Sequence, residues 1–271
     1  MYSVSIRVAE EDYDNAVARL WELGTTGLME DPSAVRAFFE TEQEAAVAAR
    51  AFQLPVSEIR EEKLSESELQ AQEEWDPIVV GDRFFVVPSR SKAATPQGRF
   101  RLVVDAQSAF GSGRHETTQL MMEALEKYVR AGMTVLDVGC GSGILSAAAY
   151  LLGAARVFAC DIDLNAISVA RRFDVISLFA GSADAVATSS ADLVLCNISG
   201  RVDDLLAADL HRVAKPDGYV LIGGFVNDQL PSRFEPENVM ESGDWQCWIC
   251  RRDPILAGQT GTPLVHSLQW W

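Results

Sequence analysis

The sequence predicts a doubly wound α/β sheet preceded by a small α+β domain, and three observations predict it. From residue 134 onward, short charge-poor runs rich in β-formers alternate with helical stretches, the pattern of parallel strands joined by crossover helices. The first of those runs breaks into Gly139-Cys140-Gly141-Ser142-Gly143 and reopens at once as a helix. Ahead of residue 60, the elements follow the order βαββαβ, which belongs to a different, smaller architecture.

The small domain is read first. Residues 2–8 alternate as Tyr-Ser-Val-Ser-Ile-Arg-Val, a half-buried strand. Residues 10–23 place Tyr13, Val17, Leu20 and Trp21 on one face of a helix that stops at Gly24. Residues 27–30 and 34–40 read as two strands about an Asp31-Pro32-Ser33 turn. Residues 42–52 are Ala-rich and helical, and residues 56–60 supply a closing strand. This order is that of a ferredoxin-like domain over residues 1–60. Residues 57–76 follow as a polar linker with eight acids against Arg60 and Lys63, and Trp75 as its one aromatic. Short strands are expected at 78–80, 84–87 and 101–104, around a Ser/Lys/Thr/Pro/Gly loop flanked by Arg90, Lys92 and Arg99.

Phe110-Gly111-Ser112-Gly113-Arg114-His115-Glu116-Thr117-Thr118 comes next, a loop rich in backbone and hydroxyl donors. The helix after it, residues 117–129, buries Met121, Ala124, Leu125 and Tyr128. Thr117 and Thr118 sit at its start, where one of them can serve as an N-cap, and His115 suits a loop-packing role as well as a functional one.

Residues 135–138 form a strand without charge except Asp137, and the glycine run opens the helix 144–152. Glycines at that junction let backbone and ligand approach closely, and a helix start offers free N–H donors. The second strand, 156–160, ends in Asp161, 22 residues after Gly139. An acid at that place in an open α/β sheet holds ribose hydroxyls. A dinucleotide fingerprint needs Gly or Ala where Ile144 stands, and no phosphate-loop lysine follows, so dinucleotides, ATP and GTP fit poorly. The remaining elements are a helix at 165–173, a strand at 175–178 with Gly181-Ser182 at its end, and a buried strand at 191–196 ending in Asn197-Ile198. Val202, Leu205, Leu206, Leu210 and Val213 mark a helix stopped by Pro216-Asp217-Gly218. A strand at 219–223 and an antiparallel pair at 239–242 and 245–252 complete the sheet.

Composition excludes several classes. Hydrophobic residues make up 48% of the 271, enough for a sizeable core, yet no run reaches the roughly 20 apolar residues of a membrane span. The first residues lack a secretory pattern, and five cysteines suit a reducing compartment, so a cytoplasmic location is expected. Cys247 and Cys250 form a CxxC inside a strand, half of what a structural zinc needs, and no metal site is expected. Of the net charge of −16, residues 1–76 carry −12. Such a front repels nucleic acid, attracts a basic partner and keeps the chain soluble.

The strand, the Asp137–Gly143 run and Asp161 in register resemble the class I methyltransferases, which bind S-adenosylmethionine on a Rossmann-like, seven-stranded sheet. Across about residues 1–252 the chain is similar to the PrmA family, whose members methylate ribosomal large-subunit protein L-eleven. The segment from Phe110 to Thr118 is close to that family's Phe-Gly-Thr-Gly-x-His-x-Thr-Thr, and Asp137 to Gly143 and Asn197-Ile198 match as well. The resemblance implies S-adenosylmethionine as cofactor, with Phe110, Gly111, Thr118, Asp137, Gly139, Gly141, Gly143, Asp161, Ile162, Ser182 and Asn197 as its contacts. It implies substrate recognition by residues 1–60, linking strands over 61–100, a catalytic domain over 101–252 and a separate tail, 253–271. The chain departs from the family in three places. Trp75-Asp76-Pro77 leads directly into strands, the passage near Arg171 to Val175 is several residues short, and the tail runs past the family's usual end.

Methyl transfer from a sulfonium needs a neutral amine. Deprotonating a lysine at pH 7 costs roughly 4–5 kcal/mol and an α-amino group about 1 kcal/mol. Positioning can contribute roughly 7–11 kcal/mol, so no dedicated base is required. Asn197 is the candidate for orienting the nucleophile or the cofactor's amino acid part. Three functions follow: a protein N-methyltransferase acting on a basic ribosomal protein, a class I methyltransferase of another protein or a small molecule, and a non-catalytic binding module. The intact glycine run and Asp161 argue against the third.

Overall fold

The computed structural model describes residues 2–7, 16, 19–20, 23–25, 27–31, 34–39, 41–55, 59–61, 75–104 and 113–259. The chain divides into two compact units, the smaller holding Met1–Ala71 and the larger Gln72–Leu264.

In the smaller unit, β1 (Tyr2–Ile6), β2 (Gly27–Asp31), β3 (Ala34–Phe39) and β4 (Arg60–Glu61) form one antiparallel sheet in the order β2-β3-β1-β4. Placing β3 beside β1 is the split arrangement of a ferredoxin-like unit. Alternation decides which face is buried: Val4, Ile6, Val35, Ala37 and Phe39 point inward. They meet Ala45, Ala48 and Ala49 of α1 (Glu42–Ala51). A capping box starts that helix, since Glu44 N donates to Thr41 Oγ1 at 3.3 Å and Thr41 N to Glu44 Oε2 at 3.0 Å. The helix expected over residues 10–23 falls largely outside the described residues, although Leu20 is fully buried in this core. The closing strand begins later than expected, at Arg60, where Ser3 pairs with Arg60 and Tyr2 with Glu61. Most of the expected linker also lies outside the described residues.

The larger unit opens with a three-stranded sheet of β5 (Ile78–Val80), β6 (Phe84–Pro88) and β7 (Phe100–Val104). Arg99 donates to the carbonyls of Gly81 and Phe84, and Arg101 to those of Ser91 and Ala93. Arg101 therefore ties down the loop before β7, and Arg99 the turn between β5 and β6. Then follow α2 (Glu116–Tyr128), β8 (Thr134–Val138), α3 (Ile144–Leu151), β9 (Arg156–Asp161), α4 (Leu164–Ala170), β10 (Ser177–Ala180), β11 (Ala191–Asn197), α5 (Gly200–Val213), β12 (Ala214–Val226), β13 (Pro236–Ser242), β14 (Trp245–Arg251) and α6 (Pro254–Ala257).

Seven of these strands make the main sheet in the order β10-β9-β8-β11-β12-β14-β13. The first five run parallel, and β14 and β13 add as an antiparallel pair. β8 and β11 are central and covered on both faces, which is why they read as continuous apolar runs rather than alternating ones. The order reverses at β8, so the switch point of the sheet lies at the carboxyl ends of β8, β9 and β11.

Several boundaries in this unit differ from expectation. β10 begins at Ser177 instead of 175, because Ile176 N donates to Phe173 O at 3.2 Å and closes a turn first. α4 ends at Ala170, earlier than expected, and Phe173 N donates back to Ala170 O. β12 starts at Ala214, pairs there with Ala191, and absorbs Pro216 in an irregularity between Ala191 and Leu193. Among the described residues no helix is long and apolar enough to cross a membrane.

Candidate active site

The glycine loop is bound to the end of the neighbouring strand by its own backbone. Gly139 N and Cys140 N both donate to Cys160 O, at 2.9 and 3.0 Å. Gly141 N then donates to Asp161 Oδ2 at 2.9 Å, while Asp163 N donates to Asp161 Oδ1 at 3.0 Å. Asp161 is thus fixed across the loop by two amides, and each oxygen retains a lone pair. Its carboxyl sits above the usual carboxylate range, because burial outweighs those amides.

Gly143 opens α3 at φ 79°, a left-handed conformation that disfavours any side chain. A Cβ there would also lie 3.0 Å from Ala170 Cβ and 3.3 Å from Phe173 Cδ2. The passage after α4 therefore packs directly against the loop. Asp137, one residue from the end of β8, is 1% exposed and accepts from Ser146 Oγ of α3 at 2.6 Å. Burial, opposed by Ser146 and reinforced by the charge of Asp161, pushes its carboxyl up to about 6. Two acids thus stand under and beside one loop.

On the other side of β8, Asn197 ends β11 and pairs with Gly223 of β12. A Cβ on Gly223 would approach Asn197 Oδ1 to 2.9 Å. Gly224, at φ 90°, leaves room for the Ile198 backbone, whose carbonyl oxygen would lie 2.6 Å from a Cβ. The side chain of Ile198 occupies the space a Cβ on Gly139 would need. The Asn197-Ile198 turn is consequently gripped between the first glycine of the loop and two glycines of β12. Asn197 Oδ1 is buried and has no hydrogen-bond donor among the described residues. An amide oxygen is rarely left so, since an unmade buried bond costs about 1–3 kcal/mol.

The remaining expected contacts fall around these points. Ile162 follows Asp161 and is half exposed, an apolar surface at the rim. Ser182 lies at the end of β10, buried, one residue after Gly181 N donates to Asp161 O at 2.9 Å. Thr118 is buried in the first turn of α2. The cap of that helix is neither threonine but His115, whose Nδ1 accepts from Thr117 N at 3.3 Å. Phe110 and Gly111 lie outside the described residues.

Two tryptophans that sequence reasoning gave no role hold the segment entering α2. Arg114 lies over the Trp75 ring at 5.6 Å, and His115 meets Trp245 edge-on at 4.6 Å. Trp75 had a signal, as the lone aromatic of an acidic stretch, whereas Trp245 had none because it reads as an ordinary strand residue. Cys247 and Cys250 are free and buried, and Cys247 Sγ lies 3.4 Å from Met121 Sδ. Burial pushes the Cys250 thiol up to about 12.

Over residues 2–253 the sequence matches the family described as "Ribosomal protein L11 methyltransferase (PrmA)". It is 34% identical over 227 residues to a ribosomal protein L11 methyltransferase of Streptococcus equi subsp. zooepidemicus (strain H70), covering 75% of this chain and 71% of that protein. It is 31% identical over 219 residues to one from Streptococcus pyogenes serotype M3, covering 72% and 69%. Among solved structures, a ribosomal protein L11 methylase from Lactobacillus delbrueckii subsp. bulgaricus matches with a TM-score of 0.61 at 29% identity, over 66% of this chain and 100% of that one. With the match running from the small sheet through β14, the chain belongs to the ribosomal protein L11 methyltransferase (PrmA) family.

Proposed function

We propose that this protein is an S-adenosylmethionine-dependent N-methyltransferase that modifies amino groups of ribosomal protein L11. The supporting observation is the pairing of two acceptors across the switch point. Asp161 is held by two amides with lone pairs to spare, and Asn197 Oδ1 is buried without a donor among the described residues.

The pocket residues suit the cofactor's chemistry. Asp161 would accept from the ribose hydroxyls, and Ile162 would lie against the purine. The glycine loop brings backbone within reach, with Gly139, Gly141 and Gly143 removing side chains from its surface. Thr118, Phe110 and Gly111 belong to the segment that would close over the methionine end. Asp137 would add negative charge beneath the loop, which favours a cofactor carrying a sulfonium and an ammonium.

When bound, S-adenosylmethionine supplies the electrophilic methyl group. Asn197 would accept an N–H of the incoming amine, aim the nitrogen lone pair and fill its own unmade bond. The amine must arrive neutral, at a cost of roughly 4–5 kcal/mol for lysine and about 1 kcal/mol for an α-amino group. Orientation worth roughly 7–11 kcal/mol covers either, so the site does not require a general base. The acidic residues 1–76, net −12, would steer a basic ribosomal protein toward the pocket.

Radiolabelled methyl transfer into a mixture of ribosomal proteins tests this reading. One labelled band at L11 that disappears with Asn197→Ala is the expected result. Labelling of a different protein, or transfer only to small amines, would reject the substrate assignment.

A further inference from the structure

The guanidinium of Arg212, in the last turn of α5, gathers four partners from two places. Nε donates to Asp209 Oδ1 at 2.9 Å, and Nη2 lies 2.9 Å from the same oxygen. Nη2 also donates to Ala183 O at 2.8 Å, and Nη1 to Val186 O at 2.7 Å and Thr188 Oγ1 at 3.3 Å. Ala183 O accepts from Val186 N as well, at 3.1 Å, so Arg212 braces both ends of one turn. Only Ser182 stands between this brace and Gly181, whose N–H is fixed on Asp161 O at 2.9 Å. The backbone on either side of Ser182 is therefore pinned, on one side by β9 and on the other by α5. The Ser182 hydroxyl does not cap the turn that follows it.

Strand order says what that pinned segment faces. The sheet runs β10-β9-β8-β11, with the ribose acid on β9 and Asn197 on β11. If the reacting sulfur lies toward Asn197, the purine must extend the other way, over the end of β10. We propose that Arg212 is a positioning residue for the purine: it sets the Ser182-Ala183 backbone that walls that side of the cofactor pocket, with Asp209 orienting its fork. This rests on the S-adenosylmethionine reading given above. A planar fork that reaches two carbonyls and a carboxylate at once cannot be replaced by the single point charge of lysine.

The test uses the full chain with Arg212→Lys, Arg212→Met and Asp209→Asn. Calorimetry with S-adenosylhomocysteine and with S-inosylhomocysteine, which differ in the 6-substituent of the purine and the proton on its N1, reads the purine side. Both Arg212 variants should bind S-adenosylhomocysteine about tenfold more weakly, or about 1.4 kcal/mol. Their preference between the two purines should shrink, and KM for S-adenosylmethionine should rise with kcat at saturation within about twofold. Asp209→Asn keeps the guanidinium but loosens it, so a smaller weakening of the same kind is expected if the Arg212 variants do not fold. Unchanged affinity and unchanged purine preference, with only a lower melting temperature, would make Arg212 a structural staple and overturn the proposal. So would a fall in kcat equal to the fall in kcat/KM. A wild-type protein that binds neither compound would instead refute the cofactor reading itself, and this inference with it.

Discussion

Replacing Asp137 with asparagine probes the most costly group in the central strand. The carboxyl is 1% exposed, and burial raises it from 3.8 to about 6. The unfolded chain titrates near 3.9. Between about pH 4 and pH 6 the folded state therefore holds this proton more tightly than the unfolded state. Stability falls as pH climbs through that window and levels off above it. At about 1.36 kcal/mol per unit, ionised Asp137 costs the fold roughly 3 kcal/mol at pH 7. Asparagine cannot ionise, yet it keeps an acceptor for Ser146 Oγ. Urea unfolding of both proteins at intervals from pH 4 to 7.5 reads the effect directly. The stability of the variant relative to the wild type should grow by about 2–3 kcal/mol from pH 4 to 7, or about 2–4 °C in melting temperature per kcal/mol. Parallel pH profiles would refute the reasoning, because they would mean that Asp137 titrates alike in both states. The same variant should lose affinity for S-adenosylmethionine more than for S-adenosylhomocysteine, since only the former carries the sulfonium charge.

Asp161→Ala should weaken cofactor binding by at least 1 kcal/mol through lost charge-assisted hydrogen bonds, and calorimetry with unchanged affinity would reject that role. Deleting residues 1–60 should spare cofactor binding and abolish methylation of folded L11, and in the intact enzyme the activity should decline with added salt. Full-rate methylation by the truncated protein would leave the acidic surface as a solubility device. Asp192 is drawn two ways: burial raises its carboxyl, but Lys215 at 2.7 Å and the Thr134 amide at 2.8 Å prevail and hold it below the usual range. Its contribution to stability is therefore present above the unfolded carboxylate pKa and lost as pH falls through the folded one. Asp192→Asn should destabilise the protein at neutral pH and not in strong acid, as thermal melts at both extremes would record.

The placement of the proposed site residues was largely legible because its constraints are local. A buried strand that breaks into glycines must turn sharply, and an acid ending the next strand lands beside that turn through the pleat and the crossover alone. The positions of Asp137, the glycine loop, Asp161 and Asn197 at the switch point were readable for this reason, and so was the strand order of the front unit. Element ends were less readable. β10 starts two residues late because the turn at Phe173 and Ile176 forms first, and β12 extends past Pro216 because pairing with Ala191 is decided by a neighbouring strand.

Long-range approach was not legible at all. No local pattern says that Gly223 and Gly224 must be bare, since what they spare is Asn197 and Ile198, brought alongside by β-pairing. His115 rather than a threonine caps α2, because the ring is also held by Trp245, 130 residues away in the chain. Likewise Arg212 reads as one more cation on a helix until the fold sets Ala183 and Val186 before it. The sequence by itself determined the class of sheet, the order of its elements and the acids at its switch point, because these follow from periodicity and local backbone geometry. Only the tertiary structure decided which side chains meet around the switch point, because hydrogen bonds and packing between distant segments exist only once the sheet has assembled.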